Sequence, residues 1–172
     1  MKKHIPNTIT ALNIISGCIA VQFALNGDTL NCAIFIVLSA IFDFFDGFVA
    51  RLLKVSSDIG KELDSLADVI SFGFAPAALV CSMFKDYPYP ESMFWIAPYL
   101  PYAAFIIAAF SAVRLAKFNL DTRQSHSFIG MPTPANALLI IGIANSPLLQ
   151  VAWTTPVWGL IFLFSLIVLT SY

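Results

Sequence analysis

The chain consists of long apolar stretches separated by short polar segments. A membrane-spanning helix needs about 20 mostly apolar residues to cross about 30 Å of hydrocarbon. By this criterion the pattern predicts six spans: Ile9–Leu25, Thr29–Arg51, Ser65–Phe84, Phe94–Phe118, Pro134–Leu149 and Trp153–Tyr172. Within the third span, Pro76 predicts a kink, with Ser71 or water satisfying the carbonyls that it frees.

The composition excludes an ordinary soluble domain. Of the 172 residues, 59% are hydrophobic and 11% charged, and the mean hydropathy is +0.83. A soluble domain of this size cannot cover so much apolar surface. The net charge of −1 leaves no basic excess for a nucleic-acid partner. Cys18, Cys32 and Cys81 lie in apolar runs without Cys-x-x-Cys spacing, which argues against a disulfide scaffold or a zinc site. We therefore expect an all-α integral membrane protein.

The distribution of Lys and Arg predicts the orientation. With the N-terminus in the cytoplasm and six spans, eight of the nine basic residues fall inside: Lys2, Lys3, Arg51, Lys54, Lys61, Arg114, Lys117 and Arg123. Lys85 alone falls outside. No small-x-small pattern follows the first apolar stretch, so we expect a retained helix and not a signal peptide. Both termini are therefore predicted to face the cytoplasm, with the protein in the cell membrane.

An acidic cluster interrupts this apolar pattern. Six of the ten acids fall between Asp43 and Asp68. Asp43 and Asp46 share one face of the second predicted helix, and Asp64 and Asp68 share a face of the next. Carboxylates at membrane depth cost several kcal/mol unless they are paired or bind something. Because a short loop joins the two helices, the four carboxylates can converge on Mg²⁺ or Mn²⁺, and a pair of such ions is the usual device for phosphoryl chemistry.

The depth of this cluster suggests its substrate. Taking Arg51 as the cytoplasmic end and about 1.5 Å per residue, Asp46 lies roughly 7 Å and Asp43 roughly 12 Å deeper. A lipid phosphate can reach that zone from the side, and a soluble substrate can reach it from the cytoplasm. Arg51 is a bidentate phosphate donor, whereas Lys54 and Lys61 are interpreted as anchors of the membrane orientation. Three small residues leave room for a ligand or for helix packing: Gly47, Ala50 and Gly60.

The cluster forms a spaced motif, Asp43-x2-Asp46-Gly47-x2-Ala50-Arg51-x8-Gly60-x3-Asp64-x3-Asp68. This motif resembles the signature of the CDP-alcohol phosphatidyltransferase family at all of its fixed positions. The resemblance implies one domain over residues 1–172 with a six-helix membrane core. It also implies homodimers and an activity in which a CDP-linked lipid is cleaved, its phosphatidyl group passes to an alcohol, and CMP is released.

The resemblance also implies roles by position. Two divalent cations, Mg²⁺ or Mn²⁺, would be bound by Asp43, Asp46, Asp64 and Asp68. Asp68 would also be the general base that takes the proton of the acceptor hydroxyl. The CDP moiety would be held by Gly47, Ala50, Arg51 and Gly60.

Two further blocks are similar to the phosphatidylserine synthase branch of this family. The first is Ile5-Pro6-Asn7-x2-Thr10-x2-Asn13, in which Asn7 and Thr10 would approach the nucleotide. The second is Arg114-Leu115-Ala116-Lys117-Phe118-Asn119 followed by Phe128-x-Gly130-Met131-Pro132-x-Pro134, with Lys117 where Arg is more usual and Met131 where Leu is. The implied substrates are CDP-diacylglycerol and L-serine.

The carboxylate of free serine needs a cationic partner, and the inner-face candidates are Arg114, Lys117 and Arg123, with Arg114 first. In the other interpretation, Arg114 and Lys117 only anchor the membrane topology. Glycerol 3-phosphate or an inositol phosphate is the alternative acceptor, although a phosphorylated alcohol calls for a more basic pocket. A cation transporter is the alternative from another class, but transporters distribute their acids across the membrane depth.

Overall fold

The computed structural model describes residues 4–55, 57–87, 89, 91–120 and 132–146, and all regular structure within them is helical. The long helices are α1 (His4–Leu25), α2 (Thr29–Leu53), α3 (Asp58–Lys85), α4 (Leu100–Leu120) and α5 (Thr133–Ala144). A short 3-10 turn, Glu91–Met93, lies between α3 and α4. With 22, 25, 28 and 21 residues, α1 to α4 are long and apolar enough to cross a membrane, whereas α5 has 12 described residues.

The packing is that of membrane helices. Large apolar side chains such as Leu30, Phe45 and Leu52 face outward and are exposed. The helices meet through small buried residues: Ala20, Ala24, Ala67, Ala75, Ala77 and Ala78. Small side chains let helix backbones approach closely where lipid offers no hydrophobic drive for association. This arrangement is consistent with an integral membrane protein.

The first three predicted spans lie within α1, α2 and α3, and α3 begins well before its apolar stretch. Its first residue is Asp58, seven positions before Ser65. The Ser57 hydroxyl caps this end by accepting a 3.0 Å hydrogen bond from the Gly60 backbone N–H. The helix therefore begins with polar turns, which a prediction from hydropathy does not include in the span.

The predicted bounds of the fourth and fifth spans are wrong. Residues 94–99 form turns and α4 begins at Leu100, with Pro101 in its first turn, where the missing N–H of proline is not needed. The fifth helix ends at Ala144, earlier than predicted, and the Asn145 side chain donates to the Ile141 carbonyl over 2.9 Å. The last residues of the predicted span, 147–149, lie outside the described residues. The predicted span Trp153–Tyr172 lies outside the described residues.

A π-helical segment, Val69–Phe74, follows directly after Asp68 within α3. Pro76 has no N–H to donate to the preceding turn, and a widened turn accommodates that loss. Of the two groups predicted to satisfy the carbonyls freed by Pro76, Ser71 or water, the Ser71 hydroxyl does not point to a carbonyl of α3. Its hydroxyl donates instead to the Asn13 side chain on α1 over 2.7 Å. Because α1, α4 and α5 all contact this segment, it fixes the position of Asp68 within the bundle.

Polar contacts set the register between the helices. Asn119 Nδ2 donates to Ser65 Oγ over 2.8 Å, and a Cβ placed on Gly73 would lie 3.0 Å from Ser111 Cβ, so α3 and α4 run antiparallel. Thr29 Oγ1 donates to Asn145 Oδ1 over 3.0 Å, which joins the start of α2 to the end of α5. The opposite end of the bundle therefore gathers the start of α1, the end of α2, the start of α3 and the end of α4.

Candidate active site

Three carboxylates meet at this end of the bundle. Asp43 comes from α2, and Asp64 and Asp68 come from successive turns of α3. One carboxylate oxygen from each lies within 4.8 Å of the others. Like charges at such distances repel strongly in a medium of low dielectric constant. The three-carboxylate cluster therefore needs a positive partner or shared protons.

Asp46, the fourth predicted acid, has a different environment. Its side chain is only 6% exposed and does not belong to the three-carboxylate cluster. Its Oδ2 accepts a 2.6 Å hydrogen bond from the hydroxyl of Thr10, which is 3% exposed. That length is typical of a charge-assisted O–H···O⁻ bond. Asp46 is thus held by α1, while its neighbour Asp43 faces α3.

The cluster fits a divalent cation. Asp64 Oδ1 and Asp68 Oδ1 are buried and receive no hydrogen bond from the part of the chain that the structure describes. A buried acceptor without a donor costs about 1–3 kcal/mol, and more when it is charged. Carboxylate oxygens are the ligands that Mg²⁺ and Mn²⁺ prefer. The unpartnered oxygens and the close approach of three acids are what such an ion requires.

A cavity of about 150 Å³ adjoins the cluster, and its lining includes Asp64 of the cluster together with Asp46. Its other lining residues come from the start of α1, the end of α2, the loop between α2 and α3, and the start of α3: Pro6, Asn7, Thr10, Gly47, Ala50, Val55, Ser57, Gly60 and Lys61. Five of the six residues predicted to hold the CDP moiety line this cavity: Asn7, Thr10, Gly47, Ala50 and Gly60.

Arg51, the sixth, does not line the cavity. It is exposed on the last turns of α2, with its guanidinium nitrogen NH1 3.6 Å from where a Cβ on Gly47 would lie. A basic side chain on the cavity wall is that of Lys61, for which the sequence predicted only a role as an anchor of the membrane orientation. Lys61 directly follows Gly60 near the Ser57-capped start of α3, and this position in the sequence could have indicated that it lies at the cavity.

Gly60 is a glycine whose missing side chain matters. A Cβ there would lie 2.9 Å from Ser57 Oγ and 3.1 Å from Asn7 Oδ1. Both distances are shorter than ordinary van der Waals contact. The hydrogen atom at Gly60 therefore lets the Asn7 amide approach the first turn of α3, and the two residues together shape the cavity wall.

The predicted serine-binding residues lie on and beyond the end of α4. Arg114 is 8% exposed and lies between the Ser111–Gly73 and Asn119–Ser65 contacts, so it runs beside the stretch of α3 that contains Asp68. Lys117 is exposed. Arg123 lies outside the described residues.

Fold and site together describe a helical protein of the membrane type with a carboxylate cluster and a cavity at one end of its bundle. Residues 3–170 match the family model for CDP-alcohol phosphatidyltransferases. The chain belongs to the CDP-alcohol phosphatidyltransferase family, as its spaced acidic motif predicts.

Several curated relatives are named CDP-diacylglycerol–serine O-phosphatidyltransferase. The protein from Helicobacter pylori (strain 26695) is 39% identical over 79% of this chain and 55% of its own length. The one from Bacillus subtilis is 35% identical over 85% of this chain and 79% of its own, and that from Methanocaldococcus jannaschii is 41% identical over 82% and 60%. The chain thus spans about half the length of the Helicobacter pylori relative and of a relative from Mycobacterium bovis.

Proposed function

We propose that this chain transfers a phosphatidyl group from CDP-diacylglycerol to the hydroxyl of L-serine, giving phosphatidylserine and CMP. The observation that carries the proposal is the cluster of Asp43, Asp64 and Asp68 beside a cavity at one end of a membrane-type helix bundle. A lipid diphosphate fits this place, because it combines a polar group that needs cations with tails that belong in the bilayer. The names of the relatives supply the acceptor.

Two divalent cations, Mg²⁺ or Mn²⁺, are proposed to bind between α2 and α3, held by Asp43, Asp46, Asp64 and Asp68. When bound, they supply Lewis-acid polarisation of the diphosphate and neutralise charge on the departing CMP. The buried, unpartnered oxygens of Asp64 and Asp68 support this assignment.

The cavity is proposed to hold the CDP moiety. Gly47, Ala50 and Gly60 keep its walls free of bulk, and Asn7 offers both an amide donor and a carbonyl acceptor. Thr10 approaches the same space from α1. Lys61 adds a positive charge at the rim, and Arg51, exposed nearby, remains the proposed outer contact for phosphate.

Asp68 is proposed as the general base. It takes the proton of the serine hydroxyl, and the serine oxygen forms a bond to the phosphorus that carries the diacylglycerol. The bond from this phosphorus to the bridging oxygen breaks, and CMP leaves with that oxygen. Proton transfer of this kind contributes about 10²–10⁴-fold in rate. The π-helical segment that follows Asp68 packs against α1, α4 and α5, which fixes this part of α3 in the bundle.

Arg114 is proposed to bind the carboxylate of serine. It is buried beside the stretch of α3 that carries Asp68, and a guanidinium pairs with a carboxylate in a bidentate manner. Lys117 and Arg123 are proposed to complete a basic surface at the acceptor entrance.

The proposed topology has six spans in one domain over residues 1–172, in the cell membrane, with both termini and the active site facing the cytoplasm. The excess of Lys and Arg in the loops on that side supports this orientation. The bond between Thr29 and Asn145, at the end of the bundle away from the cavity, fits the alternation of spans that the proposal requires. A homodimer is proposed on the family resemblance.

The test is an acceptor panel. The full chain is purified in detergent and incubated with CDP-diacylglycerol and Mn²⁺, and both CMP and the lipid product are measured. Parallel reactions contain L-serine, glycerol 3-phosphate, an inositol phosphate or no acceptor. The proposal predicts CMP and phosphatidylserine in equal amounts with serine alone, and neither after EDTA.

Two results would overturn it in different ways. Product formation with a phosphorylated alcohol in place of serine would keep the chemistry and replace the acceptor. An absence of CMP with every acceptor, in protein that elutes as a single folded species, would contradict phosphatidyl transfer by this chain and favour the transporter alternative.

A further inference from the structure

Thr10 makes a contact that the predicted role in nucleotide binding does not explain. Its hydroxyl lies 2.6 Å from Asp46 Oδ2 and 3.1 Å from the Pro6 carbonyl oxygen of its own helix. A hydroxyl has a single proton, and the shorter contact, to a charged acceptor, is the stronger one. Both side chains are more than nine-tenths buried, and a hydrogen bond is electrostatically stronger in such surroundings than in water.

This hydrogen bond restricts the orientation of the Asp46 carboxylate. The terminal torsion of a carboxylate is soft, and a free Asp side chain rotates broadly about it. The Thr10 bond fixes Oδ2 toward α1. Thr10 is itself restricted, because it is β-branched and its hydroxyl also lies within reach of a carbonyl one turn earlier.

We propose that Thr10 is a positioning residue for metal binding, which orients the Asp46 carboxylate by donating to Oδ2 so that Oδ1 is presented to a divalent cation. This inference rests on the proposed role of Asp46 as a metal ligand. In this role Thr10 does not touch the metal. It donates a hydrogen bond to a carboxylate that does, and such hydrogen bonds fix the orientation of metal ligands.

The contact also distinguishes Asp46 from the other acids. Asp64 and Asp68 each keep a buried oxygen without a donor among the described residues, whereas Asp46 has one of its oxygens committed to α1. The proposed metal site thus combines the three-carboxylate cluster, whose buried oxygens a cation must satisfy, with Asp46, which the protein orients beforehand. Loss of such a supporting hydrogen bond typically weakens metal affinity or activity 10–100-fold.

The chain offers matched variants for the test. Thr10→Val keeps the β-branched shape and removes the hydroxyl, whereas Thr10→Ser keeps the hydroxyl. Thr8→Val is the control, because the exposed Thr8 hydroxyl donates to the His4 carbonyl of its own helix, 2.9 Å away, and Thr8 does not line the cavity. Mn²⁺ binding to each full-length variant is measured by titration calorimetry without substrate, with thermal unfolding in the metal-free state alongside.

We expect Thr10→Val to raise the Mn²⁺ dissociation constant about 10–100-fold, with Thr10→Ser and Thr8→Val close to the parent. In the transfer assay, raising Mn²⁺ restores the kcat of Thr10→Val while the KM for CDP-diacylglycerol stays near the parent value. Unchanged Mn²⁺ affinity in folded Thr10→Val would overturn the inference. If the KM for CDP-diacylglycerol were also raised, the result would show that Thr10 acts in nucleotide binding instead. If Thr10→Val does not fold, Thr10→Ala replaces it under the same criterion.

The binding measurement is independent of turnover. A parent chain that binds Mn²⁺ and forms no product contradicts the proposed function alone. A parent chain that forms product while Thr10→Val binds Mn²⁺ normally contradicts the role of Thr10 alone.

Discussion

The Ser71 hydroxyl donates a 2.7 Å hydrogen bond to Asn13 Oδ1, and both side chains are fully buried. The bond joins α1 to the π-helical segment of α3, three residues beyond Asp68. A widened turn has weaker internal hydrogen bonding than an α-helical one. The contact from α1 therefore stabilises the segment that positions the proposed general base.

Ser71→Ala should destabilise the protein by about 1–3 kcal/mol, because it leaves a buried amide oxygen without its donor. The measurement is thermal or denaturant unfolding in detergent. Thr8→Val, which removes an exposed hydroxyl of α1, is expected to leave the transition unchanged. Equal stability of Ser71→Ala and the parent would mean that another donor satisfies Asn13.

Gly60→Ala should impair binding of the CDP-lipid. The added Cβ would lie 3.1 Å from Asn7 Oδ1 and push that amide into the cavity. Misplacement of a positioning group by about 1 Å costs up to about 100-fold, so we expect kcat/KM for CDP-diacylglycerol to fall by about 10–100-fold. Steady-state kinetics at fixed serine measures this effect.

Gly142→Ala is the matched control for that change. Gly142 lies inside α5, and among the described residues a Cβ there would have no neighbour within 4 Å beyond the backbone of its own helix. Alanine in a helix interior is expected to leave activity unchanged and to stabilise slightly. If both glycine variants lose activity to the same degree, crowding at Asn7 is not the cause.

Arg114→Gln should raise the KM for serine by about 10–100-fold, since hydrogen bonds to charged groups contribute about 1.5–3 kcal/mol. The KM for CDP-diacylglycerol should change much less, and this split separates acceptor binding from general damage. Lys85→Gln, at the exposed far end of α3, is the control for loss of a positive charge. A rise in the lipid KM without a rise in the serine KM would remove Arg114 from the acceptor site.

Asp28, which lies between α1 and α2, is expected to make the stability of the protein depend on pH. Its carboxylate accepts from both the side chain and the backbone N–H of Asn31, at 2.7 and 3.0 Å, which lowers its pKa from the ordinary value of 3.8. Because the folded-state pKa is depressed, the stabilisation is present above pH 3.8 and is lost as the pH falls through the lower folded value. The gap in Tm between the parent and Asp28→Ala should narrow below about pH 4. A constant gap down to pH 3 would contradict this.

The sequence predicts the acidic residues of the proposed active site better than it predicts the helix ends and the hydrogen bonds that position them. Asp43, Asp64 and Asp68 converge as helical spacing and a short loop predict, and the family follows from the same motif. The same spacing does not predict that Asp46 is bonded to Thr10 on α1. The start of α3 at Asp58 and that of α4 at Leu100 are not predicted, because caps and prolines set helix ends while hydropathy reports burial in lipid. The bonds of Thr10 to Asp46 and of Asn119 to Ser65 link residues 36 and 54 positions apart, which only the helix packing determines.

The most direct test of the central claim is CMP release from CDP-diacylglycerol by Asp68→Asn, with L-serine and saturating Mn²⁺. Loss of a general base predicts a fall in kcat of at least about 100-fold. Metal-free stability should not fall, because one of three repelling carboxylates is removed. Asp58→Asn, an exposed acid on the first turn of the same helix, should keep its activity. Parent-like turnover by Asp68→Asn, with phosphatidylserine as the product, would contradict the account.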